Sequence, residues 1–276
     1  MKFLFKGYTL LIILVILSIL SLFIGVSQLS ITDLFHLSDN QKNILFSSRI
    51  PRTISILLSG SSLALAGLVM QQMMQNKFVS PTTAGTMEWA KLGILLSLIF
   101  FPKGHILIKL TFAVALSLGG TFLFVKLINF IKVKEVIFVP LLGIMIGGIV
   151  SSFTTFIALR TNALQSINNW LNGNFAVITS GRYEILYLAI PLLIIAYIFA
   201  NHFTIAGMGK DFSHNLGVKY EQIINIALLI TATLTALVVV TVGTLPFLGL
   251  IVPNIISMYR GDHLKNALPL SLIQIS

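Results

Sequence analysis

Apolar residues run along this chain in long unbroken stretches, and polar residues gather in the short gaps between them. A helix that crosses a membrane needs about 20 mainly apolar residues to bridge roughly 30 Å of hydrocarbon. On that measure the pattern predicts spans at residues 8–27, 54–74, 92–102, 106–130, 136–159, 183–200, 222–242 and 245–259, with a further apolar stretch at 267–276. The runs are continuous and do not alternate in polarity, which makes helices the default over a β-barrel. Two of them, 92–102 and 245–259, are short. Short spans tend to be broken, tilted or re-entrant, and they need protein around them to satisfy their backbone. The expectation is an all-α polytopic transmembrane bundle of eight to nine spans, forming one domain over residues 1–276.

Composition strengthens this picture. Apolar residues make up 56% of the chain and charged residues 9%, against about 45–50% and about 25% in soluble domains. Too few charges remain to clothe a water-soluble surface. The first run follows Lys2 and Lys6 as a secretory signal would, but it is long for one and no small-x-small cleavage site follows, so it reads as a retained helix. With no cysteine, disulfides and thiolate metal sites are excluded. The eight methionines read as helix packing.

The net charge of +10 comes from basic residues scattered between spans, which predicts membrane orientation and not a nucleic-acid partner. With a cytoplasmic N-terminus, Lys2, Lys6, Lys77, Lys91, Lys126, Lys132, Lys134, Lys210, Lys219, Arg260 and Lys265 fall inside. Lys42, Arg49, Arg52, Lys103, Lys109, Arg160 and Arg182 fall outside. That is eleven of the eighteen on the inner side, in the sense of the positive-inside rule.

Candidate chemistry is sparse. There is no phosphate-binding loop ending in Lys-Ser/Thr, no nucleophile elbow and no His-Glu-x-x-His pair. The histidines at 36, 105, 202, 214 and 263 fall in loops or at span ends, where a solvated role is expected rather than metal ligation. Glu88, Glu135, Glu184 and Glu221 all read as span edges. Ion-coupled carriers hold their coupling ion near the midplane with such a group, so the pattern argues against that class. A membrane-embedded enzyme would need His, Asp or Glu clustered at one membrane face, and no such cluster is visible.

Three segments carry a more specific pattern. The first is Arg49-Ile-Pro-Arg52, then Leu57-Leu58-Ser-Gly60-Ser-Ser-Leu-Ala-Leu-Ala-Gly67, Met70-Gln71-Gln72 and Asn76-Lys-Phe-Val-Ser80-Pro81. Here Ser59, Gly60, Ser61, Ala64 and Gly67 form a small-residue stripe suited to close helix packing, and Pro81 and Gly85 break the chain before the next span. The second is Trp170-Leu-Asn-Gly173-Asn. The third joins Gly209-Lys-Asp211-Phe-Ser-His-Asn-Leu216-Gly217-Val218 to Gly243-Thr-Leu-Pro246-Phe247-Leu-Gly249-Leu250-Ile-Val-Pro253-Asn254, followed by Arg260-Gly-Asp262-His263 and Leu268-Pro269-Leu270.

From about Phe46 onward these segments resemble the FecCD family, the iron-siderophore, haem and vitamin B12 permeases of bacterial ABC importers. The family carries Arg-x-Pro-Arg, a small-residue helix with a Gln, a Trp-x-x-Gly segment, and Gly-x-Ile-Gly-Phe-x-Gly-Leu-x-x-Pro-His. This chain departs from it with Thr-Leu-Pro before Phe247 and with Asn254 where the His usually stands. Thr86-Met-Glu-Trp-Ala-Lys91 replaces a Ser/Gly/Ala-rich stretch and resembles the branch handling ferric catechol-type siderophores.

The resemblance implies a multi-pass protein of the bacterial plasma membrane. It would pair with a second permease subunit, in a homo- or heterodimer surrounded by membrane lipid. Two ATP-binding-cassette ATPase subunits would lie beneath and an extracytoplasmic substrate-binding protein above. ATP would be used by the partner, with no cofactor or metal bound directly. It also implies roles. Arg49 and Arg52 would receive binding-protein carboxylates, which a guanidinium binds through two parallel bonds. Gly209, Asp211, Leu216, Gly217 and Val218 would form the ATPase coupling loop. Gln71, Trp170, Gly173, Gly243, Pro246, Phe247, Gly249, Pro253 and Asn254 would belong to the translocation pathway. Residues 243–253, with two glycines and two prolines, are expected to be irregular. Family members usually continue past the 267–276 stretch through a tenth helix, so a chain truncated at the C-terminus is expected. Haem or cobalamin as cargo, an ion-coupled carrier and a non-functional truncated permease are the alternatives.

Overall fold

The computed structural model describes residues 7–24, 38–131, 137–260, 264–265 and 267. Lys2, Lys6, His36, Lys132, Lys134, Glu135, Asp262, His263 and all but the start of the 267–276 stretch lie outside them.

The described residues form helices joined by turns. Helix α1 covers Gly7–Phe23. Helix α2, Asp39–Ile44, is capped by Ser38, whose hydroxyl accepts from the Gln41 backbone. It runs without a break through a π-helical turn, Leu45–Arg49, into α3, Ile50–Met73. That turn explains how Pro51 sits inside a continuous helix. A proline removes one backbone donor and crowds the preceding turn, and the wider π turn absorbs both.

Helix α4 is Thr86–Phe100, α5 is Ile106–Ile131 and α6 is Phe138–Arg160. The amphipathic α7, Leu164–Leu171, precedes two 3-10 turns, Phe175–Val177 and Tyr183–Leu188. Then come α8, Ala189–Ile198, α9, Ala200–Ala206, α10, Lys210–Asn215, α11, Tyr220–Thr241, and α12, Leu248–Arg260.

Four of these helices, counting Asp39–Met73 as one, are long and apolar enough to cross a membrane. The Tyr183–Ile198 and Ala200–Ala206 pair, bent by 59°, makes a fifth. The eight to nine runs read from sequence therefore include shorter helices at α1, α4 and α12. The single span expected at 183–200 is broken, and the one expected at 92–102 begins earlier, at Thr86.

Burial sorts the spans. The apolar window of α11 is 78% buried and that of Asp39–Met73 67%, against 22% for α5 and 28% for α6. Helices α3 and α11 are the core, and α5 and α6 turn broad apolar faces outward, including Ile149, Phe153 and Phe156. Without a hydrophobic drive between helices in lipid, close backbone approach at small residues holds them. Gly93 of α4 packs on the Phe112 and Ala113 backbone of α5, and Gly143 of α6 on the backbone of Thr83 and Ala84. Thr86 and Thr121 bond across α4 and α5 at 2.9 Å. Most remaining core hydroxyls bond back into their own helix, as Thr121, Thr154 and Thr235 do at 2.7 Å.

Candidate functional site

Two ends of the bundle are separated by the length of α3. Arg49 marks one. Ser180 bonds the Ser47 carbonyl at 3.1 Å, which brings the chain before Tyr183 to the same end. Gln75 marks the other, donating to the Gly207 carbonyl at 2.8 Å.

At the first end Arg49 is buried, and its Nη1 donates to the Leu22 carbonyl at 2.6 Å. Arg52, half-buried, donates through Nη2 to the carbonyls of Ser21 at 3.2 Å and Ile24 at 3.3 Å. Both guanidiniums thus cap the last carbonyls of α1, where a cation is favoured by the helix dipole and by unpaired acceptors. The expected pair of outward-facing cations is instead engaged with a neighbouring helix. Nearby, Lys109 and Arg182 both stack on the Trp170 indole, at 4.7 and 4.3 Å from its centroid. Burial lowers the Arg182 pKa from its ordinary value. This cationic pair was not singled out in the sequence, where 73 residues separate its members.

At the opposite end, residues 208–220 fold around α10. Gly209 at φ 107° and Gly217 at φ 71° supply left-handed conformations that other residues adopt only with strain. Ser213 is buried and donates to the carbonyls of Gly209 at 2.8 Å and Ile205 at 3.2 Å, tying α10 to α9. Met208, Phe212 and Leu216 are exposed, Val218 is half-buried, and Asp211 faces solvent. Lys210 pairs with Glu221 at 3.0 Å, and that carboxylate raises the lysine pKa above its ordinary value. Gly207 leaves room only for the Gln72 side chain that packs on it, so α3 and this segment are directly joined.

The residues expected along the pathway do not line a single cavity. Phe247, at φ 65°, lines a cavity of about 360 Å³ with Thr82, Thr83, Glu88 and Ser151. Gln71 donates to the Lys77 carbonyl at 3.1 Å and lines a cavity of about 210 Å³ at the Gln75 end. Trp170 donates to the Val240 carbonyl at 3.0 Å and does not line the neighbouring cavity. Gly173 and Gly243 allow α7 and the 242–247 segment to meet, where Thr244 bonds Leu171 at 3.0 Å.

The irregular segment is shorter than expected. It ends at Phe247, and Gly249, Pro253 and Asn254 lie on α12. Pro253 cannot donate to the carbonyl four residues back, that of Gly249, and this carbonyl packs directly against Gly67 of α3. Asn254, where the family has His, donates to the carbonyls of Lys77 and Leu250, both at 2.9 Å. Pro246 is exposed.

One expectation is corrected outright. Glu88, read as a span edge, lies at mid-depth. Gly85, the N-cap of α4, sits against Gly143 and Gly147 of α6, and Glu88 packs on Gly147. Gly147 is nine positions, about 14 Å, from Phe138, and thirteen, about 20 Å, from Arg160. The chain after α3 turns back into the bundle before α4 begins. Sequence reasoning missed this because the depth of a helix start is not encoded in its own composition. Lys91 Nζ lies 2.6 Å from Glu88 Oε1, and that i, i+3 spacing was the available signal. Among the described residues no group of three or more His, Asp or Glu could hold a metal ion.

A helical membrane bundle with broken spans at mid-depth, an amphipathic knob at one end and arginines at the other defines a polytopic permease. The FecCD transport family matches residues 12–274, and the chain belongs to that family. It is 55% identical over 258 residues to the petrobactin import system permease protein YclN of Bacillus subtilis (strain 168), covering 94% of this chain and 82% of that protein. It is 40% identical over 258 residues to the petrobactin import system permease protein FatD of Bacillus anthracis, covering 94% and 75%. A solved structure described as an inward-facing metal-chelate type ABC transporter superposes with a TM-score of 0.80 at 23% identity, over 97% of this chain and 85% of that one, and supports the fold.

Proposed function

We propose that this chain is the permease subunit of an ATP-driven importer for an iron–siderophore chelate, with petrobactin as the first cargo to test. The observation that carries this reading is the 55% identity, over nearly the whole chain, with a petrobactin import permease. In this reading it crosses a bacterial plasma membrane with a cytoplasmic N-terminus and pairs with a second permease subunit.

The geometry supports a division of labour. The exposed apolar side chains of Met208, Phe212 and Leu216 offer a knob to a cytoplasmic ATPase, which supplies the energy while this chain hydrolyses nothing. Gly209 and Gly217 shape the segment, Asp211 and Val218 flank it, and the Gln72 and Gln75 contacts at Gly207 pass its movement to α3. At the other end Arg49 and Arg52 hold the tip of α1 where an extracytoplasmic binding protein would dock, Arg52 being the more accessible of the two. Selectivity rests mainly with that binding protein. The broken helices around Phe247 and Glu88 frame the route between the ends, and rocking of the packed helices switches which end is open.

The test is uptake of radiolabelled ferric petrobactin by cells lacking the gene, with and without the chain restored. Rescue supports the reading, and an inserted chain that rescues no ferric siderophore removes it. Leu216→Glu, at an exposed position, is expected to abolish co-purification of the ATPase while membrane insertion is kept. Unchanged co-purification would remove the coupling assignment.

A further inference from the structure

We propose that Lys91, held by Glu88 at mid-depth in the bundle, is an anion-contact site on the wall of the pathway that takes anionic oxygens of a ferric chelate in transit. The choice of chelate rests on the proposed function; the site itself rests on geometry.

The pair lies between two cavities, the one at Lys91 mainly polar and the one at Glu88 mainly apolar. Lys91 lines one of about 230 Å³ with Ser151, Thr154, Thr155, Asn168 and Thr244, a wall of hydroxyls and amides without a carboxylate. Glu88 lines the other, with Thr82, Thr83 and Phe247, and Ser151 belongs to both. The side chains of Lys91 and Glu88 are 21% and 23% exposed, so both reach open space while largely sheltered.

Stability does not account for the lysine. Glu88 in the first turn of α4 complements the helix dipole, and Lys91, in the second turn, gains nothing from it. Largely desolvated ion pairs are commonly replaced by apolar residues without loss of stability. The grip is also single-sided: Glu88 Oε1 holds the ammonium, while Oε2 is buried with no hydrogen-bond partner among the described residues. A second anion arriving in the Lys91 cavity competes for the ammonium against one carboxylate oxygen. Glu88 keeps Lys91 charged and occupied while the route is empty. Ferric chelators bind their hard cation through anionic oxygens, the ligand type an ammonium recognises.

The chain has no cysteine, so single-cysteine variants give a clean readout. Thr155 is exposed in the Lys91 cavity, and Gly148, in the Glu88 cavity, has no atom within 4 Å of an added Cβ. In the full chain assembled with its partners, Thr155→Cys is expected to react about fivefold faster with an anionic than with a cationic methanethiosulfonate. Lys91→Gln should abolish that preference, and Gly148→Cys should show the opposite one, lost in Glu88→Gln. In cells, Lys91→Gln should lower ferric petrobactin uptake about tenfold with ATPase co-purification kept. The swap Glu88→Lys with Lys91→Glu, which preserves a pair, should not restore it.

Absence of labelling at both cysteines, a preference unchanged by Lys91→Gln, or full uptake by the swap would each overturn the proposal. An intact labelling preference in a chain that takes up no ferric siderophore would support the anion site and remove only the cargo.

Discussion

Of the breaks between the membrane helices, those after α3 and after α11 are built differently. The break after α3, residues 74–85, satisfies itself mostly within its own length, with Gln71 of α3 and Asn254 of α12 donating to its Lys77 carbonyl. Ser80 and Thr83 exchange backbone-to-hydroxyl bonds at 2.8 and 3.2 Å, Thr83 also donates to the Phe78 carbonyl at 3.0 Å, and Asn76 accepts from Phe78 at 2.9 Å. The break after α11, residues 242–247, borrows its partners. Thr244 bonds Leu171 through both its backbone and its hydroxyl, each at 3.0 Å, and Asn174 bonds the Val242 carbonyl at 3.3 Å, so its satisfaction depends on α7. Non-helical backbone at membrane depth survives only when every polar group finds a partner. A break held mostly by its own residues is fixed to the core, whereas a borrowed one depends on its lender.

Variants can break or sharpen this contrast. The largest effect is expected at the point where both breaks lean on the core. Gly67→Val would drive a side chain into the Gly249 carbonyl, backbone that cannot yield, and should cost about 3 kcal/mol or prevent folding. Yield in membranes and thermal midpoint in detergent report it. Next, Thr83→Val keeps the shape but strands the Ser80 N–H and the Phe78 carbonyl, at about 2 kcal/mol.

Thr244→Val removes only the hydroxyl bond and leaves the backbone bond to Leu171, so about 1 kcal/mol is expected in the same measurement. Equal losses for the two threonines would erase the distinction between the breaks. The smallest effect has the opposite sign. Phe247 holds a left-handed backbone with 54% of its surface exposed, so Phe247→Gly should stabilise by up to about 1 kcal/mol in the same measurement.

How much of this was legible in the sequence follows from what each feature depends on. The helices at 106–130, 136–159 and 222–242 emerge within two residues of the observed ends at Ile106–Ile131, Phe138–Arg160 and Tyr220–Thr241, because length and apolarity alone define a span. Family membership was legible because motif residues are read one by one. The start of α4 was not, since Glu88, Trp89 and Lys91 resemble a loop when depth is unknown. The span read from residue 54 onward starts after Pro51, whereas the helix runs through it, because no local signal announces a π turn. Arg49 and Arg52 were read as binding-protein contacts, and the carbonyls they reach belong to a helix 27 or more residues away. The placement of Trp170 on Val240, across 70 residues, was equally out of reach.

The uninterrupted rod from Asp39 to Met73 has 35 residues, about 52 Å of helix against roughly 30 Å of hydrocarbon. It therefore stands proud of the bilayer. The two ends of the bundle are thus joined by one continuous helix, with no loop between them. Its π turn, at Leu45–Arg49, falls in the first third of that shaft, ahead of the buried shank.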